Sequence, residues 1–440
     1  MDPDSLYHQH EDSNGVWPTD TRQSIPLSII FVLPFVLSAI SIALMPGFNR
    51  IVIGLGVLAF FVFCFYSIRA GFLMTPELKC LIAYFVFATM GIFVAKQPQI
   101  FFIKYRTTIQ ILLMTVMILN YSRSTGMVKL IFFTVFLGCV VVAASAVWTG
   151  DYARAETEGE RVAGFAVNAN SFAINLIFAT MISLYFFKAW KSWFLKIGLI
   201  GLILVFGRLI LASGSRKGFI GFMATLFFWF LFSYGAQIKK KPFAFVMGLI
   251  VVVSIAGLFY VWSKGSLVEE RFGKRVEEDV RIPMYISGFK IIASHPLLGV
   301  GLDSYRLYAP FGTYSHSTYI EVFSGTGVFG GLAYYSIYVV LWFRLWRLGK
   351  YPLRLQEQEL VAIGKMFIVL RCMLDFVTVS YADKLNWIFF AVLIGWTYSM
   401  ERQLKEESQS QLMDEYPDYE SEPYPADPEI AYSQEGYPVE

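Results

Sequence analysis

The chain alternates long apolar runs with short polar breaks, and most runs approach the length of a bilayer's hydrocarbon core. Apolar stretches fall near 26–45, 51–68, 78–95, 100–120, 128–148, 169–187, 193–213, 217–236, 243–262, 317–343, 359–380 and 386–400. An α-helix needs about 20 residues to cross such a core, and only helices or closed barrels satisfy every backbone group there. The pattern therefore predicts an all-α polytopic membrane protein with about twelve transmembrane helices. Lysine and arginine mark alternate connections: Arg69 and Lys79; Arg123 and Lys129; Lys188, Lys191 and Lys196; Lys239, Lys240 and Lys241; Arg344, Arg347, Lys350 and Arg354. The positive-inside rule assigns these breaks to the cytoplasm and puts both termini there.

Residues 1–24 read as a polar cytoplasmic tail. The first apolar run is too long for a cleavable signal core and reads as a permanent anchor. Residues 401–440 read as an acidic, disordered cytoplasmic tail, with Tyr416, Tyr419, Tyr424, Tyr432 and Tyr437 set among Pro, Glu and Asp. It holds too little apolar material to fold alone, and a regulatory role for its tyrosines is the alternative to plain solvation.

Composition sharpens this picture. The 440 residues are 56% hydrophobic and only 16% charged, far from the balance of a soluble enzyme. A net charge of +3 implies no nucleic-acid partner. Cys64, Cys80, Cys139 and Cys372 lie in apolar runs without metal-ligand spacing, so neither a zinc site nor a disulfide framework is expected.

Three segments fall opposite the basic connections: 149–168, SGSR at 213–216, and the long loop 263–316 between spans nine and ten. Within that loop, RIPMYISGFKII from 281 spaces its apolar residues as a helix, and HPLLGVG from 295 supplies a defined turn. Arg161, Arg216, Arg281 and His316 all lie on this face. Arginine suits phosphate because its planar fork binds two oxygens and keeps its charge. Each also has a plainer reading. Arg161 has Glu158 and Glu160 nearby, Arg281 follows Glu277, Glu278 and Asp279, and any of the arginines can snorkel to headgroups. His316 titrates near neutrality and can take a proton from a hydroxyl, or it can serve as a helix cap. His295, before Pro296, reads as a turn residue.

Lys104, Arg106 and Arg208 would either extend a basic cavity or snorkel. Asn168 and Asn170 would cap a helix or hold a sugar hydroxyl. Arg371 and Asp375, four residues apart, read as a mutually neutralising structural pair.

Together, RVAGFAVNANSFA at 161, SGSRKGFIG at 213, RIPMYISGFKIIASHPLLGVGLDSY at 281 and SHSTYIEVFSGTGVFGG at 315 resemble the bacterial O-antigen ligase and polysaccharide polymerase superfamily. The resemblance covers roughly residues 50–400. It implies a glycosyltransferase-C-like domain over 25–400 in the bacterial inner membrane, acting at the periplasmic face. The implied reaction moves a glycan from undecaprenyl pyrophosphate to lipid A–core or to a second lipid-linked glycan, among membrane lipids. Arg216, Arg281 and Arg161 would then bind the donor pyrophosphate and His316 would activate the acceptor, with Lys104, Arg106, Arg208 and Asn170 as further candidates. An inverting displacement needing neither metal nor cofactor is expected. A lipid-linked oligosaccharide flippase or other secondary transporter is the alternative.

Overall fold

The computed structural model describes residues 25–41, 48–158, 160–166, 168–235, 242–264, 269 and 281–415. The N-terminal tail, the acidic run 277–279 and residues 416–440 lie outside these. The described residues build helices α1 (Ile29–Ser41), α2 (Asn49–Ala70), α3 (Pro76–Met90), α4 (Pro98–Tyr121), α5 (Thr125–Trp148), α6 (Asp151–Glu158) and α7 (Ala169–Ala189). There follow α8 (Trp193–Ala212), α9 (Arg216–Tyr234), α10 (Pro242–Ser263), α11 (Arg281–Ser294), α12 (Thr318–Leu348), α13 (Leu355–Asp375) and α14 (Lys384–Glu415). This is an all-α polytopic membrane protein. Eight of the described helices are long and apolar enough to cross a bilayer: α2 to α5, α7 to α9 and α12. The 13-residue α1, together with α10, α13 and α14, occupies the other four apolar runs.

Local chemistry sets many boundaries. Thr75 accepts from the Leu78 amide with Pro76 opening the helix, Ser124 accepts from Met127, and Ser215 accepts from Gly218. Two boundaries differ from expectation. The segment 149–168 contains the short helix α6, whose Asp151 accepts from the Gly164 amide at 2.8 Å. At the other end, α14 continues through 401–415, so the first part of the expected disordered tail is helix. The reason is local: Arg402 pairs with Glu406 one turn on at 2.6 Å, and Glu401 pairs with Arg344 at 2.7 Å.

Helix α7 sits at the centre, with 78% of its apolar window buried against 17% for the peripheral α2. It packs against α5, α8, α9 and α13. At one end of this bundle the described basic connections meet, the one at 239–241 lying outside the described residues. Arg123 donates to the Ala70 carbonyl at 2.6 Å, Gln356 to the Ala189 carbonyl at 3.4 Å, and Arg344 bridges Glu77 and Glu401. The described residues of 149–170, 213–217, 281–318 and 375–383 gather at the opposite end.

There the chain makes an unusual backbone-to-backbone contact. Helix α12 breaks at Gly327, with φ 71° and ψ −177°, a conformation essentially confined to glycine. The HPLLGVG turn enters this break: Val300 donates to Ser324 at 2.8 Å, Gly301 to Gly325 at 3.1 Å, and Val328 returns a bond to Pro296 at 2.7 Å. A Cβ on Gly327 would lie 2.1 Å from the Leu297 carbonyl oxygen. Gly327→Ala is therefore expected to destabilise the protein by more than about 2 kcal/mol, read as a lower melting temperature in detergent. An unchanged melting temperature would show the contact to be slack.

Candidate functional site

His316 ends the long loop one residue before the Ser317 that precedes α12, and its φ of 61° is left-handed. That region costs a residue with a Cβ about 1–2 kcal/mol, so the surroundings must hold it there. They do so from both sides. The Ser315 amide donates to buried Glu321 at 2.6 Å, and the Ser315 hydroxyl donates to the Ser317 carbonyl at 3.1 Å and accepts from the Ser317 amide at 3.3 Å. Ser317 Oγ then reaches the Asp375 carbonyl at 3.1 Å. The half-buried imidazole lies beside Tyr314, with ring centroids 4.4 Å apart.

The loop between α13 and α14 draws the remaining elements to the same place. Four consecutive carbonyls accept from three different parts of the chain. Asp375 takes Ser317, Phe376 takes the Tyr285 hydroxyl at 2.6 Å, Val377 takes Lys217 Nζ at 3.1 Å, and Thr378 takes Thr318 Oγ1 at 2.7 Å. Lys217 adjoins Arg216, Tyr285 is one turn from Arg281, and Ser317 and Thr318 follow His316. Arg216, Arg281 and His316, three of the four residues singled out from the sequence, thus sit on elements fastened to one short strip of backbone.

Arg161 joins the same end. Its Nε donates to the Ser213 carbonyl at 2.9 Å and its Nη2 to Asn170 Oδ1 at 3.3 Å. Asn170 Oδ1 also accepts from Ser215 Oγ at 2.9 Å, while Asn168 caps α7 by accepting from the Asn170 amide. Asn168 is therefore the cap, and Asn170 ties Arg161 to the turn preceding Arg216. Glu160, one of the acids expected beside Arg161, pairs with Arg154 at 3.3 Å.

Positive charge accumulates at this end of the bundle. The positive charges of Arg281, Arg161 and Arg371 all act on Lys217, next to Arg216. Two adjacent cations opening α9 also oppose its dipole, whose positive end lies at the N-terminus. Arg371 is neutralised by Asp375 on the same helix face, and Ser380 and Tyr338 complete that buried pair. Such an accumulation of like charge is favourable for holding an anion with several oxygens.

The further candidates separate. Lys104 lies over the Tyr381 ring at 5.4 Å and so touches the α13–α14 loop. Arg106 is exposed and lines an apolar hollow with Phe102, Ile103, Tyr105 and Ile109, and Arg208 is exposed on the side of α8. His295 bonds Ser294 at 2.9 Å within the turn, as its sequence position suggested. Sequence reasoning missed Lys217 and Tyr285. The Arg-Lys dipeptide at 216 was the available signal for the first, and the helical spacing of Tyr285 from Arg281 for the second. No three His, Cys, Asp or Glu side chains among the described residues come together as metal ligands.

No curated protein matches the chain. Residues 200–335 match the family model described as O-antigen ligase, a segment holding Arg208, Arg216, Arg281 and His316, and this supports placing the chain in the O-antigen ligase and polymerase superfamily.

Proposed function

We infer that the protein transfers a glycan from undecaprenyl pyrophosphate to an acceptor hydroxyl, with Arg216, Arg281 and Arg161 holding the pyrophosphate and His316 accepting the hydroxyl proton. The observation that carries this reading is the strip of carbonyls 375–378, to which the elements bearing Arg216, Arg281 and His316 are all bonded. The positive-inside rule puts the basic end of the bundle in the cytoplasm and therefore this site at the periplasmic face.

The chemistry follows from the groups present. The acceptor oxygen attacks the anomeric carbon while the His316 imidazole takes its proton. The bond from that carbon to the pyrophosphate oxygen breaks, and the electron pair leaves with the lipid pyrophosphate. Charge grows on the leaving group as the bond opens, and fixed guanidinium groups stabilise it most at that moment. A single displacement inverts the anomeric configuration. The acceptor is lipid A–core for a ligase and a second lipid-linked glycan for a polymerase.

Reconstitution with a labelled undecaprenyl-pyrophosphate oligosaccharide and each acceptor in turn tests the proposal. Glycan transfer with release of undecaprenyl pyrophosphate is expected, and the absence of transfer to either acceptor would refute it. Because cationic side chains supply the neutralising charge, the rate is expected to survive EDTA. Loss of activity that a divalent ion restores would count against that part of the mechanism.

A further inference from the structure

We propose that Lys217 is a fourth phosphate-binding cation of this site, reaching the donor's phosphoanhydride while its ammonium is anchored to the Val377 carbonyl. This rests on reading the site as one for a lipid-linked pyrophosphate. Lys217 is half-buried, and its hydrogen bond is to a backbone carbonyl at 3.1 Å, with no carboxylate partner among the described residues. The charges of Arg281 and Arg161 act on it, while that of Arg371 is offset by Asp375. One neutral carbonyl is a poor counterpart for an ammonium taken partly out of water, since a buried charge needs pairing to be stable.

The backbone that carries Lys217 is fixed by close packing. A Cβ on the next residue, Gly218, would lie 2.5 Å from Ala173 Cβ, so the first turn of α9 is pressed onto α7. Lys217 cannot turn away by moving the helix. Bonded to the Val377 carbonyl, its ammonium is held where the charges of Arg281 and Arg161 act on it, an arrangement that becomes favourable when a polyanion enters. Pyrophosphate diesters carry charge on two phosphorus centres, and a compact ammonium complements the planar forks of the arginines.

The test uses the full chain in phosphatidylcholine nanodiscs, where no anionic headgroup competes, and inorganic pyrophosphate as the probe. Lys217→Met is expected to weaken pyrophosphate binding by calorimetry about tenfold, and to raise the donor KM by a similar factor with kcat little changed. Lys217→Arg is expected to restore both. Lys290→Met, which removes an exposed cation from α11, is expected to change neither. Lys217→Gln serves as the second variant should the methionine form melt early.

Wild-type pyrophosphate and donor affinities in the methionine and glutamine variants would overturn the role of Lys217 and leave the donor reading standing. Absence of glycan transfer by the wild-type protein, together with no pyrophosphate binding, would remove both. An effect of the substitution seen only as altered competition by added phosphatidylglycerol would make Lys217 a contact for membrane headgroups and overturn the assignment.

Discussion

Replacing His316 with alanine is expected to slow glycan transfer by roughly two to four orders of magnitude, the usual contribution of a positioned general base. Donor binding should change little, because the histidine acts on the acceptor hydroxyl and not on the pyrophosphate. The loss therefore belongs in kcat, with donor KM near that of the unaltered protein. The left-handed backbone at His316 supplies a control that separates chemistry from structure. Glycine adopts that conformation without the cost borne by a residue with a Cβ. His316→Gly should be as inactive as His316→Ala yet at least as resistant to heat, whereas a histidine kept only as a cap or packing residue would lose stability in both variants. Transfer kinetics and melting curves on the two variants decide the matter. Near-normal turnover in either would remove His316 from the mechanism.

The same backbone feature shows where sequence reading reaches its limit. The apolar runs were legible because lipid imposes one rule along every span: each backbone polar group must be satisfied inside its own helix. The segregation of Lys and Arg to alternate connections was legible for a similar reason, and the structure gathers those among the described residues at one end of the bundle. Arg161, Arg216, Arg281 and His316 stood out because charge and imidazole are rare in so apolar a chain. Their common location was a different matter. What joins their elements is the run of carbonyls from Asp375 to Thr378, and a backbone carbonyl leaves no mark on the sequence.

Helical register accounts for other gaps. Lys104 and Arg106 are neighbours in a list of charges, but two residues turn an α-helix by about 200°. Lys104 accordingly reaches Tyr381 while Arg106 is exposed in an apolar hollow. The glycines of HPLLGVG and SGTG signalled turns. That the two motifs face each other, Gly299 against Ser324 and Gly327 against Leu297, follows from long-range packing with no local signature. The last helix outran its apolar run for the opposite reason, since ion pairs at Glu401 and Arg402 sustain it where hydrophobicity ends.

Arg216→Ala and Arg281→Ala are each expected to lower kcat/KM for the lipid-linked donor by about two to three orders of magnitude, the scale of losing one preorganised charge-stabilising group. Lysine in either place should recover only part of this, because an ammonium meets one oxygen where the guanidinium fork meets two. The sharper expectation concerns the pair. Arg281 lies at the start of α11 and Arg216 at the start of α9, yet Tyr285 and Lys217 anchor those helices to adjacent carbonyls, Phe376 and Val377. If both arginines close on one pyrophosphate, removing the first displaces the anion and leaves the second less to hold. The double variant should then lose much less than the product of the single losses, as groups acting on one charge do. Tyr285→Phe should act in the same direction more weakly, since it loosens the anchor of α11 and leaves Arg281 in place. Independent losses that multiply in the double variant would mean that the two arginines serve separate sites at this end of the bundle, and the donor pocket drawn here would have to be divided.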